Sequence, residues 1–151
     1  MATPTIVGWG YAEFSNTIGK VESVGYYGGA TVISSTWDNP DSNKAVTLGN
    51  YIVGSRKIDA DPRNEVFQHE YGHYIQSMMH GPAYLFTIGI PSLLNTMGWI
   101  GGEHKYFWTE RDANNRAFKY FRQTVADFQY RDWIMESHPT YEYRKNPNDP
   151  K

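Results

Sequence analysis

The stretch DPRNEVFQHEYGHYIQSMMH, residues 61–80, is the part of the chain that decides its fold. Asp61 followed by Pro62 predicts a helix start, because aspartate caps a helix N-terminus and proline fits the first helical position. The Gly81-Pro82 pair that follows predicts the helix end. Helical spacing between these signals predicts a buried face of six apolar residues: Val66, Phe67, Tyr74, Ile75, Met78 and Met79.

An HExxH motif, His69-Glu70-Tyr71-Gly72-His73, lies in the middle of this helix. Its two histidines are one turn apart, so they share a helix face and can reach a single metal ion. Glu70 lies beside that face, where its carboxylate can take a proton from a zinc-bound water that attacks a peptide carbonyl. The alternative is a histidine pair that is solvated on the helix surface and binds no metal.

Two further observations narrow the chemistry of the motif. The chain has no cysteine, so any metal must be held by histidine and carboxylate ligands, which zinc accepts. Gly72 costs a helix interior about 1 kcal/mol relative to alanine, which indicates that something packs closely against the backbone there. The motif therefore predicts a Zn²⁺ site with His69 and His73 as ligands and Glu70 as the general base.

A catalytic zinc site needs a third protein ligand and one open position. The spacing HExxHxxGxxH is not met, because its last glycine and histidine are replaced by Gln76 and Met79. His80 is one residue out of that register, at the predicted helix end. Glu110 is the better candidate, because it lies in the first turn of a second predicted helix that would reach the metal by packing across the first.

This second predicted helix is TERDANNRAFKYFRQTVADF, residues 109–128. Thr109 is its predicted N-cap, and Asp112 completes the capping arrangement. Asn114, one turn beyond the candidate ligand, would face the same site and hold His69 through its free ring nitrogen. The alternative for the first-turn glutamate is a structural role, because the helix dipole favours negative charge there.

The rest of the chain predicts a small, mostly antiparallel sheet and short connecting elements. Residues 1–30 show no helical period. The β-branched run 30–36 and the apolar run 45–53 predict two antiparallel strands joined by a turn-rich loop. A short helix is predicted over residues 91–97, and the proline-rich end predicts an extended tail from about residue 139.

Length and composition bound the class of protein. A chain of 151 residues suits one α+β domain, predicted to span residues 1–151. The formal net charge is −2 and there is no basic run, so nucleic acid is not predicted as a partner. The sequence shows no signal peptide and no apolar stretch long enough for a membrane span. These features assign no compartment and are compatible with a place in a larger exported protein.

HEYGH at residues 69–73, followed by a helix that carries Glu110 and Asn114, resembles the gluzincins, the thermolysin-like zinc metallopeptidases. The resemblance covers residues 45–122 and implies a minimal zincin fold, in which the sheet packs on the HExxH helix and a second, glutamate-bearing helix. It implies that both motif histidines and Glu110 bind zinc and that the motif glutamate is the base. The family has an acid where Asn114 stands, and asparagine can still accept a hydrogen bond but carries no charge.

The resemblance also implies how a substrate binds. Residues 45–53 match the family's edge strand, which pairs with extended substrate by β-augmentation. The longer pattern HEYGHYIQS…GPAYL…GIPSL is similar to small bacterial zincin domains, some of them at the ends of large secreted or toxin-like proteins. A donor that stabilises the oxyanion is also expected, and spacing selects none of four candidates: His104, Tyr106, His138 and Tyr141.

Three functional hypotheses follow. The leading one is a zinc metalloendopeptidase that hydrolyses a peptide or protein substrate, with His69, His73 and Glu110 as ligands and Glu70 as the base. The alternative is a zincin-like module with weak or no catalysis that binds zinc and serves as an interaction domain. A hydrolase of non-peptide amides would use the same residues, so this third interpretation stays open.

Overall fold

The structure, a computed structural model, describes residues 2–36, 44–100 and 102–142. The main elements are helix α1 (Ala2–Thr17), strands β1 (Val21–Tyr27), β2 (Ala30–Ser35), β3 (Ala45–Leu48) and β4 (Tyr51–Gly54), and helices α2 (Glu65–His80), α3 (Ile90–Thr96) and α4 (Trp108–Thr124). Helices and one small four-stranded sheet together confirm the α+β class. Within the described ranges, each helix is too short or too polar to cross a bilayer.

The sheet has the strand order β1-β2-β4-β3. Two of its pairings are antiparallel, β1 with β2 and β3 with β4, whereas β2 and β4 are parallel. The predicted antiparallel pairing of residues 30–36 with residues 45–53 is therefore wrong. The second segment forms a hairpin instead, because Gly49, with φ of +65°, and Asn50 turn the chain between β3 and β4.

The expectation that residues 1–30 lack a helix is also wrong, because α1 occupies Ala2–Thr17. This helix carries apolar residues on all sides, so it shows no helical period in the sequence. Packing on the β3–β4 hairpin stabilises it: Gly8 lies so close to the Leu48 carbonyl oxygen and the Tyr51 side chain that a Cβ there would clash. Tertiary contact, and not local pattern, accounts for this helix.

The sheet separates α1 from the main core. Tyr51 and Val53 alternate along β4 with Ile52, which is fully buried in that core. α1 therefore covers one face of the sheet, α2 covers the other, and α4 packs against α2. The core between the sheet and these two helices includes Ala30, Val32, Phe67, Tyr71, Tyr74, Ala117, Phe118 and Phe121.

Helix α2 starts later than the sequence predicts. Its N-cap is Asn64, whose side chain accepts a hydrogen bond from the Phe67 N–H at 3.0 Å. Asp61 instead caps the turn before the helix, by accepting from the Arg63 N–H at 2.9 Å. The predicted end is confirmed, because Gly81 terminates the helix with a φ of +55°.

The buried face of α2 differs in part from the prediction. Phe67 and Tyr74 are buried as expected, but Met78 and Met79 are 37% and 64% exposed. The reason is that polar residues occupy much of the buried surface along the helix. These buried polar residues are Gln68, Glu70, His73, Gln76 and Ser77.

Helix α4 begins one residue before Thr109, which is therefore not its N-cap, and ends at Thr124, earlier than predicted. The Thr109 hydroxyl is engaged elsewhere, because it donates to the Glu110 carboxylate at 3.1 Å. Asp112 does not complete a cap either, and accepts from Arg116 at 2.6 Å.

The last described segment departs from the predicted extended tail. Turns occupy residues 135–137 and 141–142, and Pro139 and Thr140 between them are buried. Hydrogen bonds tie this segment to α4, because Arg111 donates to the Thr140 carbonyl oxygen at 3.1 Å. The remainder of the predicted tail, residues 143–151, lies outside the described residues. The predicted short helix over residues 91–97 is confirmed to within one residue, as α3.

Candidate metal centre

Helices α2 and α4 touch at Gly72. A Cβ at this position would clash with the backbone carbonyl group of Ala113, so glycine allows the two backbones to meet. This is the close packing that the sequence predicts for a glycine inside the motif helix. The contact lies next to His73 in the chain and within one turn of Glu110, so it brings the motif and the first turn of α4 together.

Three side chains converge at this crossing. The Glu110 Oε2 atom lies 3.0 Å from His73 Nε2 and 3.4 Å from His69 Nε2. All three ligand atoms lie within 4.8 Å of one another, so the group could hold a metal ion. Tetrahedral zinc with bonds of about 2.0–2.1 Å separates its ligand atoms by roughly 3.3 Å, and the spacing observed here is close to that value.

The His69 ring is oriented by Asn114. Its Nδ1 atom lies 2.8 Å from Asn114 Oδ1, and the Asn114 amide nitrogen donates to the Pro139 carbonyl oxygen at 3.1 Å. Because the amide nitrogen is engaged, the amide oxygen faces the ring and accepts from Nδ1–H. The other ring nitrogen, Nε2, is thereby directed at Glu110, as the sequence analysis expected of Asn114.

The His73 ring is oriented in the same way by Gln76, which sequence reasoning missed. Gln76 Oε1 lies 2.9 Å from His73 Nδ1, and the Gln76 amide nitrogen donates to the Thr109 carbonyl oxygen and to Asp112. Gln76 is fully buried. The one available signal was a polar residue at i+3 from a motif histidine on the same helix face.

Glu110 is 2% exposed, and both of its oxygens are engaged. Oε2 faces the two histidines, and Oε1 accepts hydrogen bonds from Ser92 at 2.6 Å and from Thr109 at 3.1 Å. Ser92 lies on α3, and the sequence offers no signal that selects it. These donors fix the carboxylate with one oxygen pointing into the cluster.

The electrostatics of the cluster follow from this close approach. Burial alone would raise the pKa of Glu110, but its hydrogen bonds and charge contacts with His69 and His73 outweigh burial and hold that pKa well below its usual range. Burial alone would lower the pKa of His69, but the Glu110 hydrogen bond and the charges of Glu70 and Glu110 raise it to about 9. The two shifts have one origin, because a charged Glu110 carboxylate and a protonated His69 stabilise each other across this contact.

Glu70 stands apart from the three ligand atoms. It is 6% exposed, and its Oε2 atom accepts a hydrogen bond from the Thr47 hydroxyl at 2.7 Å. The same hydroxyl lies 2.9 Å from the Glu70 carbonyl oxygen. The predicted general base is thus held against strand β3, next to His69 but outside the cluster.

Two of the four candidate oxyanion donors lie at the cluster. His104 Nε2 is 3.7 Å from Glu110 Oε2, and its Nδ1 contacts Asn95 Oδ1 at 2.9 Å. The His138 ring stacks on His69 with centroids 4.6 Å apart, and burial together with the charge of His69 lowers its pKa to about 3.

The tyrosines near the centre differ from the expected ones. Tyr106 packs under Lys105 and Tyr141 under Arg111, so their rings are engaged with cations. Tyr84 was not expected; it is 5% exposed, and burial and the charges of Glu70 and Glu110 raise its pKa. The sequence carries no signal that singles it out.

Comparison with known proteins yields no relative for this arrangement. No protein-family model matches the chain, and neither the curated proteins nor the solved structures contain a significant match. The site itself therefore carries the evidence for the function.

Proposed function

We propose that this protein is a zinc-dependent metallopeptidase. The observation that carries the proposal is the convergence of His69, His73 and Glu110 on one point, with the carboxylate of Glu70 left beside it. A carboxylate that lies beside one of the ligands without joining the ligand set is what a general base requires.

The donor set fits zinc. Two imidazole nitrogens and one carboxylate oxygen form a His₂Glu set, which is typical of catalytic zinc sites that keep one position open. Each histidine also gives its second ring nitrogen to an amide oxygen, from Asn114 or from Gln76, as ligating histidines do. The cluster therefore offers ligand type, spacing and orientation together.

Each part of the site would have its own role in peptide hydrolysis. A bound zinc ion would supply Lewis acidity, polarising an attacking water molecule and the carbonyl group of the substrate. Glu70 would accept the proton from the water and pass it to the leaving nitrogen. His104, at the exposed side of the cluster, would donate a hydrogen bond from Nε2 to the carbonyl oxygen only with both ring nitrogens protonated, because its Nδ1–H is directed at Asn95 Oδ1.

Strand β3 supports a peptide as the substrate. It lies at an edge of the described sheet, and the Ser55 N–H donates to the Lys44 carbonyl oxygen at 3.0 Å. In an antiparallel pair, every second residue of a strand forms backbone hydrogen bonds to its partner strand. Lys44 is one such residue, so Val46 also bonds to β4. Ala45 and Thr47 then direct their backbone N–H and C=O groups to the open edge. An extended peptide could add there as a further strand, beside Glu70.

The test combines metal analysis with cleavage of casein or a quenched fluorescent peptide. We expect the wild-type protein to bind one zinc per chain and to cleave. Glu70→Ala should keep the zinc and lose activity, and Glu110→Ala should lose the zinc. Glu103→Ala, which removes an exposed acid in the loop before α4, is the matched control and should change neither result.

The two remaining outcomes separate the alternatives. Zinc binding without cleavage of any peptide would favour the zinc-binding interaction module. Failure of the wild-type protein to bind zinc would reject the metal site and the peptidase together.

A further inference from the structure

The contact between Thr47 and Glu70 joins the sheet edge to the proposed base. Both residues are 6% exposed, and the Thr47 hydroxyl lies 2.7 Å from the Glu70 Oε2 atom. A hydrogen bond to a carboxylate at this distance is a short, charge-assisted one. It therefore fixes the direction of the Glu70 side chain.

A general base needs this kind of restraint. A glutamate side chain has several rotatable bonds, and misplacement of a catalytic group by about 1 Å can reduce a rate about a hundredfold. With Oε2 held by Thr47, the other oxygen of Glu70 is the one available to a water molecule at the cluster.

The backbone of Thr47 also faces the region where a substrate would bind. Its side chain points to α2, and its backbone N–H and C=O point to the open edge of β3, as the register of the hairpin requires. A peptide strand that pairs with this backbone is thereby placed in register with the residue that holds the base.

We propose that Thr47 is a positioning residue: its hydroxyl orients the Glu70 carboxylate, and its backbone aligns an extended peptide with that carboxylate. This inference rests on the proposed peptidase function.

The test compares Thr47→Val, which keeps the shape but removes the hydroxyl, with Thr47→Ser, which keeps the hydroxyl. For Thr47→Val we expect kcat to fall about 10- to 100-fold with KM and zinc content unchanged. Thr47→Ser should retain most of the wild-type kcat. Thr31→Val makes the same substitution on β2, on the sheet face that α1 covers, and should leave kcat unchanged.

A stability measurement tests the contact independently of activity. In a double-mutant cycle, Thr47→Val should lower Tm in the wild-type background and lower it less in the Glu70→Ala background, because the carboxylate partner is already missing. Additive Tm shifts would show that the two side chains do not interact, and would overturn the inference.

The kinetic outcomes are equally decisive. A Thr47→Val protein with unchanged kcat, an effect confined to KM, or a Thr47→Ser protein as impaired as Thr47→Val would each overturn the positioning role. Failure of the wild-type protein to cleave any peptide would reject the proposed function itself, and that result is visible before any Thr47 variant is compared.

Discussion

Two buried side-chain amides determine the orientation of the two histidine rings in the candidate centre. Asn114 and Gln76 each turn an oxygen toward a ring Nδ1, because their nitrogens are engaged by backbone carbonyl groups or by Asp112. Each ring is left with Nε2 facing Glu110. The amides therefore set both the tautomer and the angle of the rings before a metal arrives.

Removing either amide should weaken zinc binding. For Gln76→Ala and Asn114→Ala we expect zinc affinity to fall about 10- to 100-fold, because the ring loses its orientation. Competition with a chelator of known affinity measures this. Gln123→Ala, at an exposed position of α4, is the control and should bind zinc as tightly as the wild-type protein. Unchanged affinity in both buried variants would show that the amides do not orient the ligands.

Some single residues of the candidate site could be predicted from the sequence, and others could not. The motif residues His69 and His73 can be predicted because their spacing on one helix is a local property. Glu110 could be proposed because it follows a helix start, although its partner lies on another helix. Ser92 and Thr47 reach the site only through the packing of α3 and β3, so no local pattern marks them.

At the scale of elements, the crossing of α2 and α4 depends on Gly72. A methyl group there would meet the Ala113 carbonyl, which is backbone and cannot move aside as a flexible side chain can. We expect Gly72→Ala to lower the free energy of unfolding by about 1–3 kcal/mol, the usual cost of overpacking. Because the crossing also brings Glu110 to the motif, zinc affinity should fall as well.

The control for that substitution is Gly10→Ala. Gly10 lies in α1 with open space where a Cβ would be, so alanine should raise the free energy of unfolding by about 0.5–1 kcal/mol. Denaturant unfolding of both variants gives the comparison. A Gly72→Ala protein that is stabilised like Gly10→Ala would mean that the helices do not touch at this residue.

The elements differ in how far sequence predicts them. α2 and α4 have end signals and apolar spacing of their own, so their existence could be predicted, although Asn64 and not Asp61 sets the start of α2. α1 depends on contact with the β3–β4 hairpin, so its sequence alone gave no indication. The hairpin was predicted as one strand because a single Gly-Asn pair marks its turn.

For the whole molecule, the α+β class could be predicted but the strand order could not. The parallel pairing of β2 with β4 brings together Thr31 and Tyr51, although β3 comes between these two strands in the chain. Such long-range pairing is decided by the packing of helices on both faces of the sheet. No pattern within either strand encodes its partner.

The stability of the metal-free fold should depend on pH through His69. Its pKa is raised from 6.5 in the unfolded chain to about 9 in the fold, so its contribution is fully present below about pH 6.5 and is lost as pH rises to about 9. Glu110 has a lowered pKa, so its contribution is lost at the acid end instead. Tm of chelator-treated protein should therefore fall by several degrees between pH 6.5 and 9.

Two variants identify the group responsible. His69→Ala should remove most of this fall in Tm, and His80→Ala, at the end of the same helix, should keep it. A wild-type Tm that stays constant over the interval would contradict the proton-sharing contact between His69 and Glu110.

The placement of the candidate ligands on two helices has a mechanical consequence. His73 and Glu110 are 37 positions apart in the chain, so a metal ion held between them closes a long loop. The loop-closure relation for a covalent cross-link of that span gives roughly 4 kcal/mol of stabilisation through lost freedom of the unfolded chain. The protein has no cysteine to form a disulfide. An ion bound for catalysis would therefore also act as a cross-link between α2 and α4.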